Sequence, residues 1–360
     1  MSQVTGLEAK PIHRLLGVKP GKDDQMRMFA YNESNPLPYD VIIVDEVSMV
    51  DIQLMYAFLR AVKRGAKVIL SGDSDQLPSV GPGNVLHDII NSEIIPVVRL
   101  ERIFRQAEES LIVVNAHKIN SGEMPEIKNR DTDFFFLVRQ NAELTFATVI
   151  DLYKSRIPKS YSVNPISSIQ VLSPSKKGVT GSVSLNHELQ KALNPPDMLK
   201  QEYSYGKTIF RVGDKVMQIK NDYDIVWTTP NGENGTGIFN GDLGIIESIS
   251  VKDRQMTIIF DDDKETEYSF NDLDKLDLAY AITVHKSQGS EFPIVIIPIC
   301  RYAPMLMCRN LLYTAVTRAK SMVILVGSES AAYTMIQNND EKKRYTGLCS
   351  KLRSIAEFTF

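Results

Sequence analysis

No apolar run in the 360 residues approaches the ~20 that a membrane-spanning helix needs. The opening MSQVTGLEAK lacks the basic and then apolar stretch of a secretory signal, so a cytoplasmic protein is expected. Cysteine is scarce. Cys300, Cys308 and Cys349 are scattered without metal-ligand spacing, which fits a reducing compartment and small buried apolar roles better than a disulfide framework. Neither sign of charge is in excess. A formal net charge of −3 neither predicts nor excludes a nucleic-acid partner, so any basic groove has to be local. What is there, 43% hydrophobic and 24% charged residues, is ordinary globular composition with room for two or three domains.

The stretch around which the chain is organised is residues 41–50, VIIVDEVSMV. Four apolar residues running into Asp45 and Glu46 read as a buried parallel strand with its acids at the carboxyl end. That edge of an open α/β sheet is where ligands bind. Adjacent carboxylates there suit a nucleotide site, in which Asp45 holds Mg²⁺ through water and Glu46 activates the attacking water. The plainer alternative is a buried strand capped by two solvated acids.

Other segments take their places around it. PIHRLL (11–16) reads as a short helix entered through proline, and its His13 is more simply structural than a ligand contact. Residues 17–38 are polar and turn-rich, a small hairpin excursion. Residues 51–63 form an amphipathic helix with Leu54, Phe58 and Leu59 on one face. Residues 67–70 form the next strand, which also ends in an acidic loop, SGDSDQLPSVGPG (71–83). Gln76 in that loop can donate to a γ-phosphate and accept from a water. The glycines and prolines fix a tight path across the mouth of the sheet.

VDEVSM followed by GDSDQLPSVGPG resembles motifs II and III of superfamily 1 helicases, and specifically the RecD-like DNA helicases. LERIFRQ (100–106) resembles motif IV, AYAITVHKSQGSEF (279–292) motif V and RNLLYTAVTRAK (309–320) motif VI. The resemblance implies an α/β fold with two RecA-like P-loop-type domains, the first incomplete, and a small SH3-like β-barrel inserted in the second. The expected boundaries are 1–127 for the first domain, 128–205 with 277–360 for the second and 206–276 for the barrel. Within the barrel, short strands alternate with turns, and NGD (240–242) is a tight-turn signal.

The resemblance also implies roles. Arg105 and Arg318 close on a γ-phosphate as an arginine finger does, guanidinium being suited to phosphate oxygens. Glu291 accepts from the nucleotide ribose, or else caps a turn. Thr283, His285, Lys286 and Ser287 position a phosphodiester backbone without reading bases. Lys176 and Lys177, in a glycine-containing loop before a helix, offer a backbone contact to DNA. ATP and Mg²⁺ are the implied cofactors, and single-stranded DNA and duplex junctions the implied partners. The two halves are expected to face each other across a cleft, with Asp45, Glu46 and Gln76 on one wall and Arg318 on the other.

One required part is missing from the sequence. No G-x-x-x-x-G-K-[ST] precedes the acidic strand, and GVKPGKDD (17–24) has neither the glycine spacing nor a hydroxyl after Lys22. The expectation is therefore a carboxyl-terminal portion of a longer protein, unable to hydrolyse ATP unaided; the resemblance implies that the parent is an ATP-dependent DNA helicase, similar to enzymes that move 5′ to 3′ on single strands, in repair or recombination. A non-catalytic single-strand-binding piece and the helicase portion of a conjugative relaxase stay open as alternatives. An Upf-like RNA helicase fits the loop wording less well.

Overall fold

The structure is a computed structural model. It describes residues 6, 9–17, 29–100, 110–127, 132–339, 344 and 346–357. Contacts divide the chain into two units, residues 1–102 with 340–360, and residues 103–339. Two helices are grouped differently from the expected domain boundaries. Helix Leu111–Asn120 buries Leu111, Ile112, Ala116 and Ile119, and Arg309 of the second unit donates to Asn120 O at 3.1 Å, so it belongs there. Helix Leu348–Glu357 belongs to the first unit, where Arg353 donates to the carbonyls of Asn91 and Ser92 that end helix Val85–Ser92.

In the first unit, β1 (Val41–Val44) and β2 (Lys67–Leu70) pair in parallel, Val41 opposite Lys67 and Val44 opposite Leu70. The sequence reading expects β1 to be a buried strand, and the structure buries one of its faces. Ile42 and Val44 point into a core with Val47, Val50, Met55 and Phe58, while Val41 and Ile43 are 53% and 51% exposed. Helix Ile52–Ala61 follows, started by Asp51, whose side chain accepts from Leu54 N at 2.8 Å. Its buried face is Met55, Phe58 and Ala61; Leu59, expected inward, is exposed because it lies about 100° round the helix from Phe58.

In the second unit, β3 (Phe134–Val138) and β4 (Ile169–Ser173) begin an α/β layer. The chain then leaves it for β5 (Glu202–Tyr205), β6 (Thr208–Arg211), β7 (Lys215–Gln218), β8 (Asp222–Thr228), β9 (Asn234–Ile238), β10 (Leu243–Ser250), β11 (Gln255–Phe260), β12 (Lys264–Ser269) and β13 (Leu276–Leu278). It returns as β14 (Ala281–Thr283), β15 (Phe292–Ile299) and β16 (Ala319–Gly327). The parallel sheet has the order β14-β4-β15-β16-β3; β7 to β13 form a second, antiparallel sheet, and β5 and β6 pair as a separate hairpin. One continuous apolar core joins the layers, from Ile169, Leu185 and Leu189 to Val216, Ile246, Ile258 and Phe260. A buried polar knot reinforces the joint. The Asp214 carboxylate accepts from Gln190, Asn194, Tyr280 and the Arg211 amide, and burial raises its pKa against those bonds.

Candidate functional site

The first unit gathers its acidic groups at the carboxyl edge of β1 and β2. Asp45 is exposed there, and Glu46 adopts φ 53°, the left-handed region, which costs a non-glycine residue about 1–2 kcal/mol. Neighbouring bonds hold that conformation. Val47 N donates to Ser71 O at 3.0 Å, Ser71 N to Val44 O at 2.8 Å, and Met49 N to Glu46 O at 3.0 Å. Gly72 lies so close to this turn that a Cβ would stand 3.0 Å from Val47 N. The loop after β2 is thus stitched to the turn that carries both carboxylates. Strain held in place by its surroundings is common where a side chain must be aimed.

Gln76 is buried, with its amide nitrogen donating to Asp73 Oδ2 at 3.2 Å. Asp73 Oδ1 in turn accepts from Asp75 N at 2.9 Å. Further along, Gly81 presses on Asp51, since a Cβ there would fall 2.1 Å from its Oδ2. Among the described residues no group of three or more acids, histidines or cysteines could cage a metal. Among the described residues, one G-K-T string can be placed, and it is not a phosphate cradle. The sequence's G-K-T string, Gly206 to Thr208, closes the β5–β6 hairpin, where no helix follows to receive phosphate.

In the second unit, the carboxyl edge of the parallel sheet carries the basic candidates. Thr283 ends β14 level with Ser173 at the end of β4. Beyond them lie the turn Val284–Ser287 and the loop with Lys176 and Lys177, both exposed, which leads into helix Ser182–Leu193. Lys176 Nζ is 3.8 Å from Asp277 Oδ2. Burial lowers the pKa of Lys286, with Asp277 opposing the shift and Lys176 adding to it. Burial also lowers that of His285, which disfavours its protonated form. Ser287 departs from the expectation of a DNA contact. It is fully buried, and its hydroxyl donates to Val284 O at 2.8 Å, holding the turn closed.

Arg318 and Glu291 lie at the opposite, amino-terminal edge of this sheet, where β15 and β16 begin. Thr283 is level with Ser173 and Ile294 with Ile169, four strand positions or roughly 13 Å apart. Glu291 pairs with Lys320 at 3.3 Å, both more than half exposed. Arg318 is buried and turned onto its own unit, donating to Thr314 O, Ser290 O and Thr317 Oγ1 at 3.3–3.4 Å. Arg105 and Lys22 fall outside the described residues. His13 makes a tilted ring contact with Phe29, 6.2 Å between centroids. Two residues that matter locally escape sequence reasoning. Asp51 reads only as a helix start, and Arg344, in the charged run EKKRYTG, carries no signal that separates it from a solvated lysine.

Comparisons with known proteins cover most of the chain. The family described as ATP-dependent RecD-like DNA helicase SH3 domain matches residues 185–260, an AAA domain family residues 1–134, and the UvrD-like helicase C-terminal domain residues 278–326. The ATP-dependent RecD2 DNA helicase of Deinococcus radiodurans is 33% identical over 98% of this chain and 44% of its own length. The RecBCD enzyme subunit RecD of Mycolicibacterium smegmatis is 29% identical over 98% of this chain and 60% of its own. The chain thus spans about half the length of these curated relatives. Among solved structures, Pif1 helicase from Bacteroides in complex with ADP-AlF3 and ssDNA is 19% identical with a TM-score of 0.54, covering 96% of this chain and 83% of that one. The shared fold is α/β with a RecA-like domain, a parallel-sheet core and an SH3 domain.

Proposed function

The chain belongs to the RecD-like DNA helicases, and from that premise we propose that it carries the hydrolytic groups of an ATP site in its first unit and a single-stranded-DNA track in its second. The whole protein, in this reading, is an ATP-dependent helicase that translocates on single strands and unwinds duplex in DNA repair or recombination. Asp45 takes the hydrated Mg²⁺, Glu46 accepts a proton from the attacking water, and Gln76 contacts the γ-phosphate. Arg105 and Arg318 neutralise charge on the transferring group. Glu291 meets the ribose. Thr283, His285, Lys286, Lys176 and Lys177 hold the phosphodiester backbone.

The observation that carries the reading is the strained Glu46, held at the carboxyl edge of β1 by the loop that contains Gln76. Exposed Glu93 and Asp263 adopt the same conformation at ordinary turns, so what sets Glu46 apart is that its turn is stitched to the loop carrying Gln76. Since no G-x-x-x-x-G-K-[ST] occurs in the 360 residues, the chain as given is expected to bind DNA without hydrolysing ATP. A longer form that includes such a loop should hydrolyse ATP when DNA is added. Glu46→Gln in that form should keep ATP binding and lower turnover by at least 10²-fold, the scale of a lost general base. Robust DNA-stimulated hydrolysis by the 360-residue chain would contradict the reading, because the phosphates would then be anchored by residues assigned no such role.

A further inference from the structure

We propose that Arg344 is a positioning residue for the loop that carries Gln76, acting from the carboxyl-terminal stretch of the chain; the assignment rests on the nucleotide reading of that loop. The guanidinium of Arg344 meets four acceptors within five residues. Its Nη1 donates to Gly81 O and Gly83 O, each at 2.6 Å, and lies 3.3 Å from Ser79 Oγ. Its Nη2 donates to Ser79 O at 2.5 Å. Three backbone carbonyls of one loop converge on a single side chain, and a planar fork with several fixed donors is the group that can satisfy them together.

The arginine is itself anchored. Two residues on, Thr346 Oγ1 bonds Asp88 of helix Val85–Ser92, and Arg353 donates to Asn91 O at 2.5 Å and Ser92 O at 3.3 Å. The far side of the loop is fixed as well. Ile52 N donates to Pro82 O at 2.9 Å, and neither Gly81 against Asp51 nor Gly83 against Ile52 leaves room for a side chain. The segment from Ser79 to Gly83 is therefore gripped between the start of helix Ile52–Ala61 and Arg344. Gln76, three residues upstream and buried, takes its place from a loop that cannot shift at its other end.

The Ile52 amide reports on the grip, because its partner Pro82 O belongs to the loop. Residue-resolved hydrogen exchange on the 360-residue chain should show Ile52 exchanging at least tenfold faster in Arg344→Ala, with part of the protection recovered in Arg344→Lys. Arg353→Ala loosens helix Leu348–Glu357 without touching the loop; because Thr346 still ties the segment next to Arg344 to Asp88, it should leave Ile52 as it is. In a longer form that hydrolyses ATP, Arg344→Ala should lower kcat about tenfold with KM unchanged. Unchanged exchange at Ile52 in Arg344→Ala, or equal loss in Arg353→Ala, overturns the grip while leaving the nucleotide reading intact. A loosened loop with unchanged kcat overturns the positioning role alone, and the reading of Gln76 is decided separately by the kcat of Gln76→Ala in the same longer form.

Discussion

At the scale of single residues, Lys215 is the clearest case of an ionisable group placed against its solvation preference. It lies in β7 inside the shared core, with Nζ donating to Ile166 O at 2.8 Å and Ile169 O at 3.4 Å. Burial lowers its pKa to about 8, and Asp261 opposes that shift only in part. Below pH 8 the amine is charged in both states, and the folded state bears the full desolvation cost. Between about 8 and the ordinary 10.5 the unfolded chain still binds the proton while the folded chain does not, so stability rises with pH. The whole rise is on the order of 3 kcal/mol. Burial raises the pKa of Tyr153, which acts in the opposite sense above its ordinary value of 10.0, so the window to observe is pH 8 to 10. Thermal melts should show the midpoint climbing across that window in the wild type and less steeply in Lys215→Met, where Lys286 still contributes in the same direction. A flat wild-type profile would mean that the ammonium is solvated in the folded state.

At the scale of elements, the two parallel sheets differ in how well their strands are enclosed. β1 pairs with β2, and its outer face, Val41 and Ile43, is about half exposed. β16 lies between β15 and β3, and Val323 to Val326 are all buried. Amides of Val41 to Val44 should therefore exchange faster than those of Val323 to Val326, since local opening needs less burial to be undone. Equal protection would show that the outer face of β1 is covered in solution. Much of this level is legible in the sequence, because apolar runs ending at acids or turns mark β1, β2 and β10 without reference to anything distant. What is not legible depends on partners far along the chain. Phe58 and Leu59 look alike until the direction of the core is known. Ser287 looks like a donor until its own turn is closed. Arg344 gains meaning only when residues 79–83 are brought against it, and no local pattern carries that information.

At the scale of the whole molecule, a net charge of −3 leaves no general attraction for a polyanion, so binding has to come from a local arrangement of cations. In the proposed reading that arrangement is Lys176, Lys177 and Lys286 near a single sheet edge, with His285 and Thr283 as further hydrogen-bonding groups. The most direct test of the account is fluorescence anisotropy of the 360-residue chain with single-stranded DNA of two unrelated sequences, across a salt series. Three phosphate contacts predict that log affinity falls against log salt with a slope of about −2. Thr283→Ala with His285→Ala should weaken binding equally on both sequences. Affinity that ignores salt and these substitutions, or that follows one sequence and not the other, would contradict it.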